Sequence, residues 1–270
     1  MEAGSPVDDV WDIDKLNNSS KERLGYPTQK PEALLERIIK ASSNEGDVLL
    51  DPFCGCGSAV ATSERLHRRW IGIDITHLAI TLIKHRLQDT YGSELVPYEV
   101  IGVPKDLASA AALAQEDRYQ FEWWALGLVD ARPAQDKKKG ADKGVDGYIN
   151  FFDDNSGKAK QIVVQVKSGH VGAHYVRDLK GVLHREHAEI GVLITLEEPT
   201  TPMLTEATTT GLYTPAFFPK QQYSRVQIVT IADLLNGKAV QYPRLAPNVT
   251  FLNAVRQEKT TVSPQERLFA

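Results

Sequence analysis

Gly144-Val145-Asp146-Gly147-Tyr148-Ile149 and, further on, Gln161-Ile162-Val163-Val164-Gln165-Val166-Lys167 decide how this 270-residue chain folds. An acid after a glycine turn opens one apolar strand. A second apolar strand ends in a lysine two residues beyond a polar glutamine. Side chains two apart on a strand share a face, so Gln165 and Lys167 point the same way. Pairing the strands brings Asp146, Gln165 and Lys167 to one edge of a sheet. A carboxylate that can hold a divalent cation, beside an ammonium that can steer a water, suits hydrolysis of a phosphodiester. Magnesium favours carboxylates and waters, and Asp146 supplies one carboxylate. The main-chain carbonyl of Val166 lies between Gln165 and Lys167, and Glu122, on a preceding helix, offers a second acid.

Outward from these strands the chain reads as α/β throughout. The spacing predicts strands over about Asp146–Phe152 and Gln161–Lys167, joined by the turn Asp153-Asp154-Asn155-Ser156-Gly157. A helix over about Ala173–Arg185, a buried strand Ile190–Thr195, a helix Met203–Thr209 and a strand Val226–Ile231 follow. Before them, Phe121, Trp124, Leu128 and Val129 suggest a helix beneath the sheet, and the polar run Gln135–Lys143 a loop. Nearer the N-terminus, Pro31 opens a helix to about Ser42. Val48-Leu49-Leu50 is a short strand, Ser58–His67 a helix, Trp70–Asp74 a strand and Leu78–Gln88 a helix. That order is a parallel βαβ unit. Tyr98–Val103 reads as a further strand, and the alanine-rich stretch after Pro104 as a connecting helix. The expected divisions are a partial Rossmann-like unit at 1–103, a linker at 104–118, a smaller α/β unit with a mixed central sheet at 119–242 and an irregular tail at 243–270.

Composition narrows the function classes. Hydrophobic content of 42% and charged content of 24% are those of a soluble globular protein. A net charge of -4 excludes a strongly basic nucleic-acid coat, so any such surface must be local. The two cysteines, Cys54 and Cys56, are too few for a structural zinc site and too close for an ordinary bridge, which points to a reducing, cytoplasmic home. No apolar run reaches membrane-helix length and no secretion signal is visible, so no membrane partner is expected.

The N-terminal unit carries a second chemistry. Gly55 and Gly57 permit a tight strand-to-helix turn with close approach of a ligand to backbone amides. Asp74 ends the next strand, about 20 residues on, where an acid commonly bonds ribose hydroxyls. Three stretches occur in order: Tyr26-Pro27-Thr28-Gln29-Lys30-Pro31, Leu50-Asp51-Pro52-Phe53-Cys54-Gly55-Cys56-Gly57-Ser58 and Trp70-Ile71-Gly72-Ile73-Asp74. Together, over about residues 7–90, they resemble the DNA amino-methyltransferases of the permuted β class. The resemblance implies S-adenosylmethionine as cofactor. Thr28 and Lys30 would lie near its methionine end, Asp51, Phe53, Gly55 and Gly57 would form its cradle, and Asp74 would hold the ribose. Ser58 stands where that family more often has threonine. The D-P-P-Y-type motif that receives a flipped base in that class has no counterpart here, and the chain has no Pro-Pro dipeptide. The expectation is no methyl transfer by this polypeptide alone.

The downstream residues resemble the Mrr-type branch of the PD-(D/E)xK nucleases over about residues 118–200. Phe121-Glu122, the stretch Lys139 to Gly147 and Val164-Gln165-Val166-Lys167-Ser168-Gly169 carry the likeness. It implies Asp146, Glu122, Gln165 and the Val166 carbonyl around Mg2+, with Lys167 orienting the attacking water. Double-stranded DNA would be the substrate, with Lys137, Lys138, Lys139, Lys143, Lys180, His184 and Arg185 as candidate phosphate contacts. The primary expectation is a magnesium-dependent restriction endonuclease fused to a methyltransferase half. The rivals are a methyltransferase subunit that needs a partner chain carrying the absent half, and a DNA-binding scaffold with both sites silent. Cutting both strands takes two active sites, which is the ground for expecting a homodimer.

Overall fold

The computed structural model describes residues 10–17, 20, 22–24, 26, 28–134, 144–154, 156–244 and 250. The first regular unit runs α1 (Glu32–Ser42), β1 (Val48–Asp51), α2 (Ser58–Arg65), β2 (Arg69–Gly72) and α3 (His77–Tyr91). β1 and β2 pair in parallel, Val48 opposite Arg69 and Asp51 opposite Gly72. The βαβ reading therefore holds. Pro31 sits at the N-cap of α1, one residue before the expected first turn. α3 is capped by Thr76, whose hydroxyl accepts from the Ala79 amide at 3.2 Å.

Cys54, Val60, Ile83 and Leu87 form a small buried cluster beneath this sheet, with Trp70, Tyr91 and Leu95 packed against it. The opposite face is uncovered: Val48, Leu50, Ile71 and Ile73 are all exposed, as are Phe53 and Ile75 beside them. Parallel strands normally read as apolar because both faces are covered. Here the sequence has that pattern, but only one face is packed.

Tyr98–Val103 is not a strand. Val96 and Ile101 stand exposed, and among the described residues no strand pairs with the stretch. β-propensity expresses itself only where a partner strand and a packing surface exist. After it, α4 (Leu107–Glu116) starts with a capping box in which Asp106 and Ser109 bond each other's backbone. This is the helix expected of the alanine-rich stretch after Pro104, and its Ala110 is fully buried in the core of the second sheet.

α5 (Arg118–Leu128) follows, its first amides taken by the Asp117 carboxylate. Then come β3 (Arg132–Pro133), β4 (Gly147–Phe151), β5 (Lys160–Lys167), α6 (Ala173–Glu186), β6 (Ile190–Thr195), α7 (Thr201–Thr208), β7 (Leu212–Tyr213), β8 (Tyr223–Ser224), β9 (Val226–Thr230) and α8 (Ile231–Leu235). The sheet order is β3-β4-β5-β6-β9. β4 and β5 are antiparallel, while β5, β6 and β9 run parallel, so the sheet is mixed as expected. β7 and β8 make a separate hairpin.

Alternation along β5 and β6 divides the core in two. Ile162, Val164, Val166, Ile190, Val192 and Ile194 pack with Phe121, Trp124 and Leu126 of α5. Val163 and Leu193 pack on the other face with Val176, Leu179 and Val182 of α6 and Met203 of α7. Fully burying side chains of this size contributes roughly 1.5–3 kcal/mol each, which makes β5 and β6 the rigid centre of the unit. Among the described residues no helix is long and apolar enough to cross a membrane.

Candidate functional sites

The central sheet brings the decisive residues to the carboxyl end of β5. β4 begins just after Asp146, and the Asp146 amide still donates to the Val164 carbonyl at 2.9 Å. The Asp146 carboxylate then turns towards β5, where Oδ2 accepts the Val166 amide at 2.8 Å. A residue in a ladder sends its N–H and C=O to the same side, so the Val166 carbonyl also faces the Asp146 edge. Gln165 is buried, and its Nε2 donates to the Gly144 carbonyl. Among the described residues, Gln165 Oε1 is buried without a hydrogen-bond partner. Gln165 faces α6, as does Lys167, whose ammonium lies 5.4 Å from the centroid of the Tyr175 ring on that helix. This cation–π contact holds a half-buried ammonium without neutralising it.

Glu122 is also buried, but on α5, the helix that covers the sheet face opposite α6. Asp146, the Val166 backbone, Gln165 and Lys167 are therefore gathered at one strand end, whereas Glu122 lies on the helix of the other layer. Among the described residues no group of three His, Cys, Asp or Glu side chains is arranged to hold a metal ion. The gathered set is one carboxylate, one amide oxygen and one backbone carbonyl, all hard oxygens. The unpartnered Gln165 Oε1 gives such a set a reason to exist, because a buried acceptor left unmade costs ~1–3 kcal/mol. The set fits a magnesium ion that keeps much of its own water.

Two of the expected phosphate contacts have carboxylate partners within the chain. Lys180 reaches Glu206 at 2.7 Å, and Arg185 reaches Glu186 at 2.9 Å. Lys137, Lys138, Lys139 and Lys143 lie outside the described residues.

The N-terminal turn is braced from several sides. Gly55 and Gly57 have φ of +51° and +72°. Gly55 donates to Asp74 Oδ2 at 2.9 Å, and the backbone amide and hydroxyl of Thr76 both donate to Oδ1 at 2.8 Å. Asp74, expected to hold a ribose, fastens the glycine turn to the segment that follows β2. Asp51 Oδ1 accepts the Phe53 amide at 3.1 Å. Phe53 itself is 88% exposed and Ile75 90% exposed. An exposed aromatic ring beside a carboxylate-held glycine turn fits an adenosyl group, which presents a flat base and two hydroxyls. The Lys30 ammonium donates to the Thr28 carbonyl at 3.1 Å.

Sequence reasoning missed the tie behind this turn. The Arg86 guanidinium donates to the Cys56 carbonyl at 3.2 Å, to Ser58 Oγ at 3.1 Å and to Glu32 Oε1 at 2.6 Å. Ser58, flagged as a departure, thus serves as one acceptor for a buried arginine. Cys54 and Cys56 are packing residues: both are buried and free. Burial, with Asp74 and Asp51 adding repulsion, pushes the Cys54 thiol up to about 11. Its neutral form is favoured by folding, so stability that is intact below about pH 9 declines as pH rises towards 11. Alkylation of Cys54 by iodoacetamide at pH 8 is expected to be much slower than that of a free thiol, and to accelerate on unfolding.

Two family models match separate stretches of the chain. The DNA methylase family matches residues 1–85. The family described as NACHT-associated inactive Restriction Endonuclease 1 matches residues 120–236. Type II methyltransferase M.HpaI of Haemophilus parainfluenzae is 37% identical over 130 residues, 48% of this chain and 41% of that protein. Type II methyltransferase M2.DpnII of Streptococcus pneumoniae is 45% identical over 85 residues, 32% of each chain. DNA adenine methyltransferase YhdJ of Escherichia coli (strain K12) is 46% identical over 78 residues, 29% of this chain and 26% of that one. The chain thus spans well under half the length of these relatives. Among solved structures, MspJI Restriction Endonuclease in Complex with 27-mer Oligonucleotide overlays on 52% of this chain and 34% of its own, with a TM-score of 0.32 and 17% identity. The chain carries a DNA-methyltransferase-like stretch at its N-terminal end, followed by a restriction-endonuclease-like α/β region.

Proposed function

We propose that the second sheet houses a divalent-cation-dependent phosphodiesterase that cuts double-stranded DNA, joined to a stretch that binds S-adenosylmethionine. The observation that carries the reading is the gathering of Asp146, the Val166 backbone, Gln165 and Lys167 at the carboxyl end of β5, with Gln165 Oε1 buried and unpartnered. Asp146, Gln165 Oε1 and the Val166 carbonyl would hold the magnesium ion, with Glu122 as the further acid. When bound, such an ion supplies Lewis acidity at the scissile phosphate and a more acidic water. Lys167, lying over the Tyr175 ring, orients the attacking water and offsets charge that builds on the phosphate. The Tyr175 ring fixes where that ammonium points. On the N-terminal side, the Gly55–Gly57 turn, Phe53 and Asp74 would receive the adenosyl group of S-adenosylmethionine, with Asp51, Thr28 and Lys30 around it.

The test is plasmid cleavage by the full chain in magnesium, with Asp146→Asn and Lys167→Ala as variants. Each is expected to lower the rate by at least ~100-fold, the usual scale for removing one group that stabilises developing charge. A wild-type chain that cuts neither methylated nor unmethylated DNA would end this reading.

A second reading has a specific observation behind it. Gln165 is neutral where a second carboxylate would strengthen cation binding, and the matching family is described as inactive. In that case the sheet binds duplex DNA for a methyltransferase and does not cut. Salt-dependent DNA binding unaffected by chelator, together with absent cleavage, is the expected result for that alternative.

A further inference from the structure

Among the described residues, two buried polar atoms lie unpartnered on one face of the central sheet. Gln165 Oε1 is one, and Thr195 Oγ1 is the other. Thr195 is fully buried at the last position of β6, directly opposite Lys167 of β5 in the parallel register. Ile190, Val192 and Ile194 of β6 face α5, whereas Leu193 faces α6. Alternation therefore turns Thr195 towards α6, the side taken by Gln165 and Lys167. Gln165 stands opposite Leu193, one step back along the same face. Neighbouring strands are about 4.8 Å apart and two residues advance about 6.6 Å, so the two α-carbons are roughly 8 Å apart. Neither oxygen bonds the other among the described residues, so each is left to be satisfied by a further polar partner.

A threonine at this position costs stability unless something satisfies it. A valine would fill the same volume in an otherwise apolar strand and leave no orphan. Water needs two or more polar partners to occupy a buried site, and the amide carbonyl and the hydroxyl provide two. Magnesium bound by few protein oxygens keeps several of its waters. We propose that the Thr195 hydroxyl and the Gln165 carbonyl together hold a water of a hydrated divalent cation, which makes Thr195 a positioning residue for phosphodiester cleavage at this strand end. The hydroxyl can both donate and accept, so it fixes the orientation of that water beside the Lys167 ammonium.

The inference rests on the nuclease reading, and its test separates the two. The full chain, Thr195→Val and Thr195→Ser are compared with Mg2+ alone as the probe and with supercoiled plasmid as substrate. In chelator, Thr195→Val is expected to melt at or above the wild-type temperature, because it removes an unsatisfied group without removing volume. Its rise in melting temperature on adding Mg2+ should shrink, and the Mg2+ concentration for half-maximal cleavage should increase at least about tenfold, the lower end of the effect of losing an outer-shell partner. Thr195→Ser keeps the hydroxyl and should restore both readouts. A Thr195→Val chain that unfolds in chelator would show that the hydroxyl is already satisfied within the fold, and would overturn the inference. So would an unchanged Mg2+ dependence in an otherwise active Thr195→Val chain, which would leave the nuclease reading standing. A wild type with neither cleavage nor a Mg2+-induced shift removes both.

Discussion

Gly57→Ala lowers the stability of the N-terminal unit by about 2–5 kcal/mol, the sum of two separate penalties. Gly57 is the N-cap of α2 and holds φ of +72°, a left-handed conformation that costs other residues roughly 1–2 kcal/mol. An added Cβ would also stand 2.6 Å from Ile83 Cγ1 and 3.4 Å from its Cβ. That contact is with the stem of a β-branched side chain packed beneath the sheet, which has no free rotamer to retreat into, and overpacking of this kind typically costs about 1–3 kcal/mol. Either the turn flattens or Ile83 moves, and both shift the amides of the cradle. Chemical denaturation is the measurement, with calorimetry for S-adenosylmethionine alongside. Wild-type stability in the variant would show that the turn is not held by Ile83.

The second large effect is expected at Arg86→Ala. The guanidinium is buried and serves acceptors from three segments: Glu32 of α1, the carbonyl and sulfur of Cys56 in the turn and Ser58 at the start of α2. Removing it strands a buried carbonyl and hydroxyl, and leaves Glu32 without its closest cation. Glu32 is 30% exposed, so water recovers part of that charge. The net loss is about 2–4 kcal/mol, below the 3–5 kcal/mol typical of breaking a fully desolvated pair. Arg86→Lys should fall between, since an ammonium reaches one of the acceptors but cannot fork across all three. A melting temperature unchanged in Arg86→Ala would show that α1 and the turn are held together by apolar contact alone.

The residues that were legible share a physical reason. β5 and β6 are short apolar runs buried on both faces, and the positions of Gln165 and Lys167 followed from simple alternation within one strand. α5 announced itself through Phe121, Trp124 and Leu128, an apolar stripe at helical spacing. Tyr98–Val103 misled because a β-prone sequence forms a strand only against a neighbour, and none lies beside it. β3, β7 and β8 have two residues each, too few for any period to register. Thr195 was hidden because a threonine among valines and isoleucines reads as one more β-branched filler. Only the missing hydrogen bond sets it apart. The Arg86–Glu32 tie spans 54 residues, a separation that pattern reading along one helix cannot bridge.

The bare side of the β1–β2 pair has a practical consequence for anyone handling this polypeptide. Each large aliphatic or aromatic side chain taken fully out of water gains about 1.5–3 kcal/mol, so even the partial dehydration open to this row amounts to a considerable drive towards contact. Because that drive is largely entropic near room temperature, it weakens on cooling and strengthens on gentle warming. Preparations will then look cleanest when cold and dilute, and will cling to vessel walls, detergent micelles and one another as they are warmed and concentrated.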